Sequence, residues 1–403
     1  MAQGGASAGA PAQASAGGGN PFQLASNWYA EKNNQGGTTS FAMSATATAA
    51  VGGAINAGQY LRGVRLMVRT ITAGTSGTVS GTTDFPFNIL SNVDLVNVDG
   101  SQILYTMGGY AHYIAHKYSR PWSGDPAAYP DAANSTVASP QFTLPLFPEV
   151  RWTAGCLANT DTRSQYRFDA TIDTGTNIVQ GGTSWAATAP VIAVTPYMDA
   201  WAQPDDKDLA GTPNQPVPPG LNLQVKRRHQ IFTLNAATSD NILQSALTGN
   251  ALRVQTFITR TGTNNLRVDL FTDPITWQVD NRTMGKISAQ VGATQAAGSG
   301  LIDQWMYEFY QEYFATITTS STSNGTRPPT AYQPYEREAG VYAFPRFIKP
   351  GSLHGQGWLY TANNTKEIFE TATSSGFSTS ATAELISDEV YPVGPVDTPL
   401  LDI

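Results

Sequence analysis

The sequence predicts an all-β chain built from two similar halves in tandem. Three observations support this prediction: short runs of alternating apolar and polar residues separated by turns, a composition that suits strands, and a faint internal repeat. The 403 residues include 38 Gly and 25 Pro, and only 13% are charged. Such a composition suits strands joined by many turns. It also suits a surface covered by copies of the same chain, because interface cores are depleted in charged residues.

The second half of the chain repeats the first, faintly and in the same order. Each block recurs roughly 180 to 204 positions later, and a displacement of this kind indicates a repeated structural unit. The matched pairs are Leu61-Arg62 with Leu252-Arg253, residues 97–100 with 278–281, residues 144–147 with 344–347, residues 158–160 with 362–364, and residues 168–170 with 369–371.

The first half is predicted to begin with a flexible arm and to continue as strands. Residues 1–40 are assigned to the arm, because the first twenty form an uncharged Gly/Ala/Ser/Gln tract with too few large apolar groups to fold. Residues 41–205 form the first unit, in which alternation with a period of two predicts half-buried strands. The expected strands are 64–68, 85–89, 95–98, 142–147, 166–172 and 191–194, and one short helix is expected at 108–118.

The second half is predicted to have the same order of strands and helix, after a proline-rich linker. Residues 206–220 are assigned to that linker, a stiff surface connection, and residues 221–403 to the second unit. A helix is predicted where Leu301, Trp305, Phe309 and Tyr313 recur every fourth residue, with Ser299 as its N-cap. The expected strands are 252–258, 266–270, 275–279, 341–348, 368–373 and 384–392.

Two units of this length, each with strands, one helix and more strands, fit a pair of tandem eight-stranded jelly rolls with short helical insertions, a double jelly roll. Two immunoglobulin-like sandwiches are the alternative. Those domains have about 100 residues each and lack the helix.

Charge and cysteine content argue against several classes of protein. The net charge is −7, whereas a protein that binds nucleic acid through its phosphates normally has an excess of basic residues. The one basic run, 226–229, is interpreted as a solvated strand start or an interface patch rather than a nucleic-acid site. The single cysteine, Cys156, rules out an internal disulfide and is predicted to be an inert buried thiol.

No apolar stretch reaches the length of a membrane span, and no signal peptide is evident, so synthesis in the cytoplasm is expected.

Three candidate sites are weaker than their structural alternatives. His112 and His116 have the i, i+4 spacing of zinc ligands but lack a third ligand, so a core or interface pair is favoured. The acidic cluster at 205–208 departs from the ligand spacing of a calcium loop and favours a solvated linker. Glu308 and Glu312 are interpreted as a solvated helix face rather than a sugar-cleaving pair. No catalytic, cofactor-binding or metal-binding residue is therefore assigned, and the chain is predicted not to be an enzyme.

Several stretches resemble the double jelly-roll major capsid proteins of the tectivirus type, from icosahedral bacteriophages with an internal membrane. Residues 63–68 and 84–90 are similar to the first strands of that family's N-terminal barrel, and 108–112 to the segment that follows them. Residues 375–391 are similar to the closing strands of its second barrel. The resemblance covers residues 40–395, loosely.

The resemblance implies a structural protein of the virion shell. It implies a homotrimer of six-sided outline, contacts with neighbouring trimers, penton and minor capsid proteins and an internal membrane layer, and no direct contact with nucleic acid. Loops 119–140 and 319–336 would form outward towers or a trimer clasp. The arm departs from the family because it has no apolar face, so a clamp between trimers is expected rather than a membrane anchor.

Two other functions remain open from the sequence alone. The chain has 8 Trp and 17 Tyr, and aromatic rings of this kind stack on sugars, so a carbohydrate- or receptor-binding β-sandwich is the main alternative. A β-sandwich glycan hydrolase is the other. The oligomeric state separates the shell protein from both.

Overall fold

The computed structural model describes most of both units. The described residues are 23–25, 40–44, 46–57, 59–75, 79–119, 135–150, 155–180, 188–202, 224–235, 241–262, 266–271, 275–287, 340–346, 358–373 and 380–391. Four predicted features lie outside these residues: the linker, the acidic cluster at 205–208, the helix expected at 301–313 and the loop at 319–336.

The first barrel contains twelve of the described strands and two α-helices. The strands are β1 (Gln23–Ala25), β2 (Ser40–Ala42), β3 (Ala49–Ala54), β4 (Gln59–Thr72), β5 (Ser80–Gly81), β6 (Leu90–Val96), β7 (Gln102–Met107), β8 (Phe142–Leu146), β9 (Leu157–Asn159), β10 (Arg167–Ile172), β11 (Val179–Gln180) and β12 (Val191–Ala202). The helices are α1 (Gly109–Ser119) and α2 (Gly175–Ile178).

The second barrel contains nine strands in its described part. They are β13 (Gln224–Thr233), β14 (Asn241–Ser245), β15 (Ala251–Arg260), β16 (Ile275–Val279), β17 (Arg282–Ile287), β18 (Val341–Pro345), β19 (Leu359–Tyr360), β20 (Glu367–Thr371) and β21 (Thr382–Tyr391). No helix in the described part of the chain is long and apolar enough to span a membrane.

The two barrels have the same strand order. In the first, one sheet runs β1-β12-β4-β8, with β2 on β12 and β9 on β4, and the other runs β3-β10-β6-β7. In the second, the corresponding sheets run β13-β21-β15-β18, with β19 on β15, and β14-β20-β16-β17. Two four-stranded antiparallel sheets with this order form an eight-stranded jelly roll. The sequence repeat is therefore a repeat of the fold.

A β-bulge at the same place in both barrels fixes the alignment of the repeat. Leu61 pairs with Ala200 and Gly63 with Asp199, so Arg62 is the extra residue of β4. Leu252 pairs with Glu389 and Val254 with Asp388, so Arg253 is the extra residue of β15. Bulges redirect side chains. Here each bulge carries an arginine that bonds the aspartate of the neighbouring strand.

The hydrophobic core extends from one barrel into the other. One face of the β15, β18 and β21 sheet lines the second barrel's own core, with Phe257, Tyr342 and Leu385. The opposite face joins the core of the first barrel through Ile258, Ala343 and other residues. Because both faces of this sheet are covered, nine consecutive residues of β15, 251–259, are buried.

Several sequence predictions need correction. The arm was predicted to extend to residue 40, but residues 23–25 already pair with β12 as β1. A strand was predicted at 85–89. The chain instead turns and forms a 3₁₀-helix at Phe87–Ile89, because Pro86 takes a helical conformation and lacks a donor for a ladder. The stretch 266–270 makes one isolated bridge, Arg260 to Arg267, rather than a strand.

Candidate functional site: the junction between the two barrels

Helix α1 lies at the junction and contacts both barrels. All eleven of its residues are buried. It packs against β6 and β8 of the first barrel and against β15, β18 and β21 of the second. A helix that is buried all round belongs to a core rather than a surface. Its start requires glycine, because a Cβ on Gly109 would lie 2.4 Å from the carbonyl oxygen of Phe87.

His112 of α1 joins the barrels through both ring nitrogens. Its Nε2 lies 2.8 Å from the carbonyl oxygen of Val93 in β6, and its Nδ1 lies 3.3 Å from Nη1 of Arg227 in β13. A guanidinium can only donate, so Nδ1 accepts and Nε2 carries the proton. Burial, together with the positive charge of Arg227, lowers the pKa of His112 to about 3. The ring is therefore neutral at neutral pH.

Asp388 holds two buried arginines at the same junction. Arg227 Nε lies 3.4 Å from Asp388 Oδ2, and the guanidinium of Arg253 bonds Oδ1. All three side chains are at most 4% exposed. Buried ions are tolerated when they are paired and hydrogen-bonded. Asp199 has the equivalent position in the first barrel, where it forms ion pairs with Arg62 and Arg65.

A second ion cluster crosses the junction at Asp84. This carboxylate pairs with Arg260 and Arg267 of the second barrel, and Arg267 also donates to the carbonyl oxygen of Thr83. Arg260 also pairs with Glu384. Nε2 of His229 lies 2.7 Å from Oε1 of the same glutamate. Burial alone would raise the pKa of Glu384, but the hydrogen bond from His229 and the charge of Arg260 outweigh it and hold that pKa below its usual value.

A cleft of about 760 Å³ opens beside this cluster. Residues of both barrels line it, among them Asn88, Asp173, Tyr110 and His229. The face of Tyr110 is occupied, because the guanidinium of Arg267 lies 4.9 Å from its ring centre. The cleft can admit small polar molecules. No group of three metal-ligating side chains occurs among the described residues.

The histidines and the cysteine singled out by sequence are buried in the structure. His112 and His116 are both buried in α1, and the ring of His116 lies 6.1 Å from that of Phe147. Cys156 is fully buried, and burial with the adjacent Glu149 raises the pKa of its thiol. The basic run at 226–229 lies within β13, but it is not a solvated strand start throughout, since Arg227 is fully buried. Glu308 and Glu312 lie outside the described residues.

Sequence reasoning missed the ion pairs that cross the junction. Asp84 is 176 positions from Arg260 and 183 from Arg267, and it meets them only in the fold. A signal was present only for buried pairs within a barrel: Asp199 interrupts the largely apolar strand β12, and a charge in such a place is usually paired.

Solved structures of viral capsid proteins resemble this chain. No protein-family model matches it, and no curated protein sequence does. The major capsid protein of Sulfolobus Turreted Icosahedral Virus is 12% identical, with 87% of this chain and 94% of that chain covered and a TM-score of 0.52. The matching chain in the atomic structure of the same virus is 11% identical, with 87% of this chain and 88% of that chain covered and a TM-score of 0.53.

A chain of the PBCV-1 virus capsid is similar to the same degree. It is 12% identical, with 88% of this chain and 92% of that chain covered, and the TM-score is 0.52. At these identities the likeness concerns the fold. Together with the repeated strand order, it shows that the chain has the double jelly-roll fold of these major capsid proteins.

Proposed function

We propose that the chain is a major capsid protein whose homotrimers, six-sided in outline, tile an icosahedral virion shell. The observation that carries the proposal is the repeated barrel joined through a buried junction. Each chain then supplies two similar sides of a tile, and three chains supply six. Closed rotational symmetry within a tile and repeated contacts between tiles build a shell from few kinds of contact.

The rigidity of the junction supports this role. A shell tile must keep the angle between its two barrels, and interdomain motion is the default unless the interface is large and apolar. Here a shared core, a buried helix, the ion cluster at Asp84 and the contact of His112 with Arg227 join the barrels. The low charge content also suits a chain that is largely covered by its neighbours.

The partners and location follow from the same proposal. Neighbouring trimers, penton and minor capsid proteins and an internal membrane layer are the expected contacts in the virion, after synthesis in the host cytoplasm. The net charge of −7 fits a shell without direct contact to nucleic acid. The sequence resemblance favours the tectivirus-like bacteriophage type. The chain acts by geometry and without catalysis, as the structural capsid proteins of similar fold do.

Two of the three described tryptophans, Trp201 and Trp277, give little support to the carbohydrate-binding alternative. Trp201 is buried and donates Nε1 to Glu149. Trp277 donates Nε1 to Glu367, and Arg346 lies 3.6 Å above its ring. A sugar needs an open ring face on which to stack.

The proposal predicts a stable trimer in solution. Native mass spectrometry of the purified chain should give a mass about three times the 42.9 kDa of one chain, whereas the denatured sample should give the single mass. A chain that stays monomeric at all accessible concentrations, and that binds glycans, would favour the alternative and contradict the shell role.

A further inference from the structure

One wall of the cleft at the junction is built by the first barrel alone. Two segments that are distant in the sequence form it, the 3₁₀-helix at Phe87–Ile89 and the short helix α2. The main chain holds these segments together, since the backbone N of Asp173 donates to the carbonyl oxygen of Ile89 at 2.8 Å. This contact brings Asn88, Asp173 and Asn177 to the same wall. We call these three residues the acceptor cluster.

Both side-chain amide nitrogens of the acceptor cluster donate within the protein. Nδ2 of Asn177 donates to Oδ1 of Asp173 at 2.9 Å. Nδ2 of Asn88 donates to Oγ1 of Thr82 at 2.8 Å, and it lies 3.2 Å and 3.4 Å from the carbonyl oxygens of Asn177 and Ile178. Because a carbonyl oxygen can only accept, these neighbours fix the orientation of the Asn88 amide.

The atoms of the acceptor cluster that face no donor are oxygens. Oδ1 of Asn88 is buried and has no hydrogen-bond partner among the described residues. Oδ1 of Asp173 accepts from Asn177 and from the backbone N of Thr174, but no group in the described part of the chain donates to its Oδ2. An acceptor that loses water without gaining a donor is unfavourable. A ligand with N–H groups is therefore favoured at this wall.

The charge of Asp173 points to the same kind of ligand. Three carboxylates line the cleft. Asp84 pairs with Arg260 and Arg267, and Glu384 pairs with Arg260. Asp173 forms no ion pair with any described residue. The acceptor cluster therefore has a negative charge that no neighbouring cation balances.

A protonated aliphatic amine satisfies both requirements. Its ammonium group has three N–H donors, one positive charge and no acceptor. The cleft is also lined by apolar side chains that suit a methylene chain, namely Leu90, Met107, Val179 and Leu266. Its volume of about 760 Å³ is that of a site for an organic molecule. A metal ion is a poorer fit, because no group of three metal-ligating side chains occurs among the described residues.

We propose that the cleft binds an aliphatic polyamine, with one ammonium group on the oxygens of Asp173 and Asn88 and the methylene chain along the apolar side chains. Leu266 and Glu384 of the second barrel also line the cleft, so the ligand contacts both barrels. A ligand that binds only the folded chain stabilises it. The site lies within one chain and does not depend on the proposed shell.

Calorimetric titration of the purified full-length chain with spermidine tests the site, at a physiological salt concentration. Asp173→Asn should weaken binding at least about tenfold, because it removes the charge and one acceptor. The matched control is Asp161→Asn, at an exposed position outside the cleft, which should leave the affinity unchanged. This control also tests for a general attraction of cations to a chain of net charge −7. The proposal is overturned if the wild-type chain does not bind spermidine, or if the two variants bind it equally.

A second variant tests the site with Asp173 in place. Thr176 is exposed, lines the cleft and follows Asp173 by three positions, a spacing at which side chains on a helical turn meet. Thr176→Lys should bring its own ammonium group to the acceptor cluster and weaken spermidine binding at least about tenfold, whereas the neutral Thr176→Gln should retain it. Equal binding by these two variants would contradict the proposal. Calcium chloride is the last probe: calcium binding that Asp173→Asn removes and spermidine does not displace would assign the site to a metal ion instead.

Discussion

Replacing Ile258 with aspartate is expected to lower the free energy of unfolding by about 4–5 kcal/mol or more and to uncouple the two barrels. Ile258 is fully buried in the core shared between the barrels, on the strand that contacts α1. A carboxylate at this place either remains charged without a partner or binds a proton, and either outcome is unfavourable. Calorimetry should show one unfolding transition for the wild-type chain and an earlier, split transition for the variant.

The control for this prediction is the same substitution at an exposed isoleucine of the same barrel. Ile242 in β14 is 66% exposed, so Ile242→Asp should change the free energy of unfolding by no more than about 0.5 kcal/mol. If Ile258→Asp unfolds like Ile242→Asp, in one unchanged transition, the shared core does not join the barrels.

Replacing Asp388 with asparagine is expected to destabilise the chain by about 3–5 kcal/mol. The change preserves the shape of the side chain but removes the one negative charge that Arg227 and Arg253 share at the junction. Two buried guanidinium groups then face a neutral partner. Urea unfolding, followed by tryptophan fluorescence, measures the loss.

The control for Asp388 is Asp169→Asn. Asp169 pairs with Arg167 on the surface, where the two side chains are 39% and 57% exposed. Exposed pairs of this kind contribute about 0–1 kcal/mol, so little change is expected. Equal stability of Asp388→Asn and Asp169→Asn would show that the buried pairing at the junction is unimportant.

The sequence repeat predicted the architecture because strand periodicity is a local property. Leu61-Arg62 and Leu252-Arg253 occupy the same bulge, and residues 168–170 and 369–371 lie on the equivalent strands β10 and β20. The alignment of 144–147 with 344–347 found the right strand pair but is two residues out of register, since Leu146 and not Leu144 matches Phe344. In short apolar strands, several registers satisfy the same alternation.

The junction could be predicted only in part. The helix at 108–118 was expected and is present as α1, yet its sequence does not say that both of its sides are covered. The pairing of Asp84 with Arg260 and Arg267 depends on how two barrels meet, and no local pattern encodes that contact. The place of β1 was missed because three residues give too short a signal, and β1 forms through its pairing with β12.

The central claim is that two barrels in each chain, repeated three times, form one six-sided tile. Electron microscopy of the purified protein, averaged in projection, tests this claim most directly. The account predicts a particle with six lobes of two alternating kinds and three-fold symmetry. A particle with only two lobes, or a ring with another number of lobes, would contradict it.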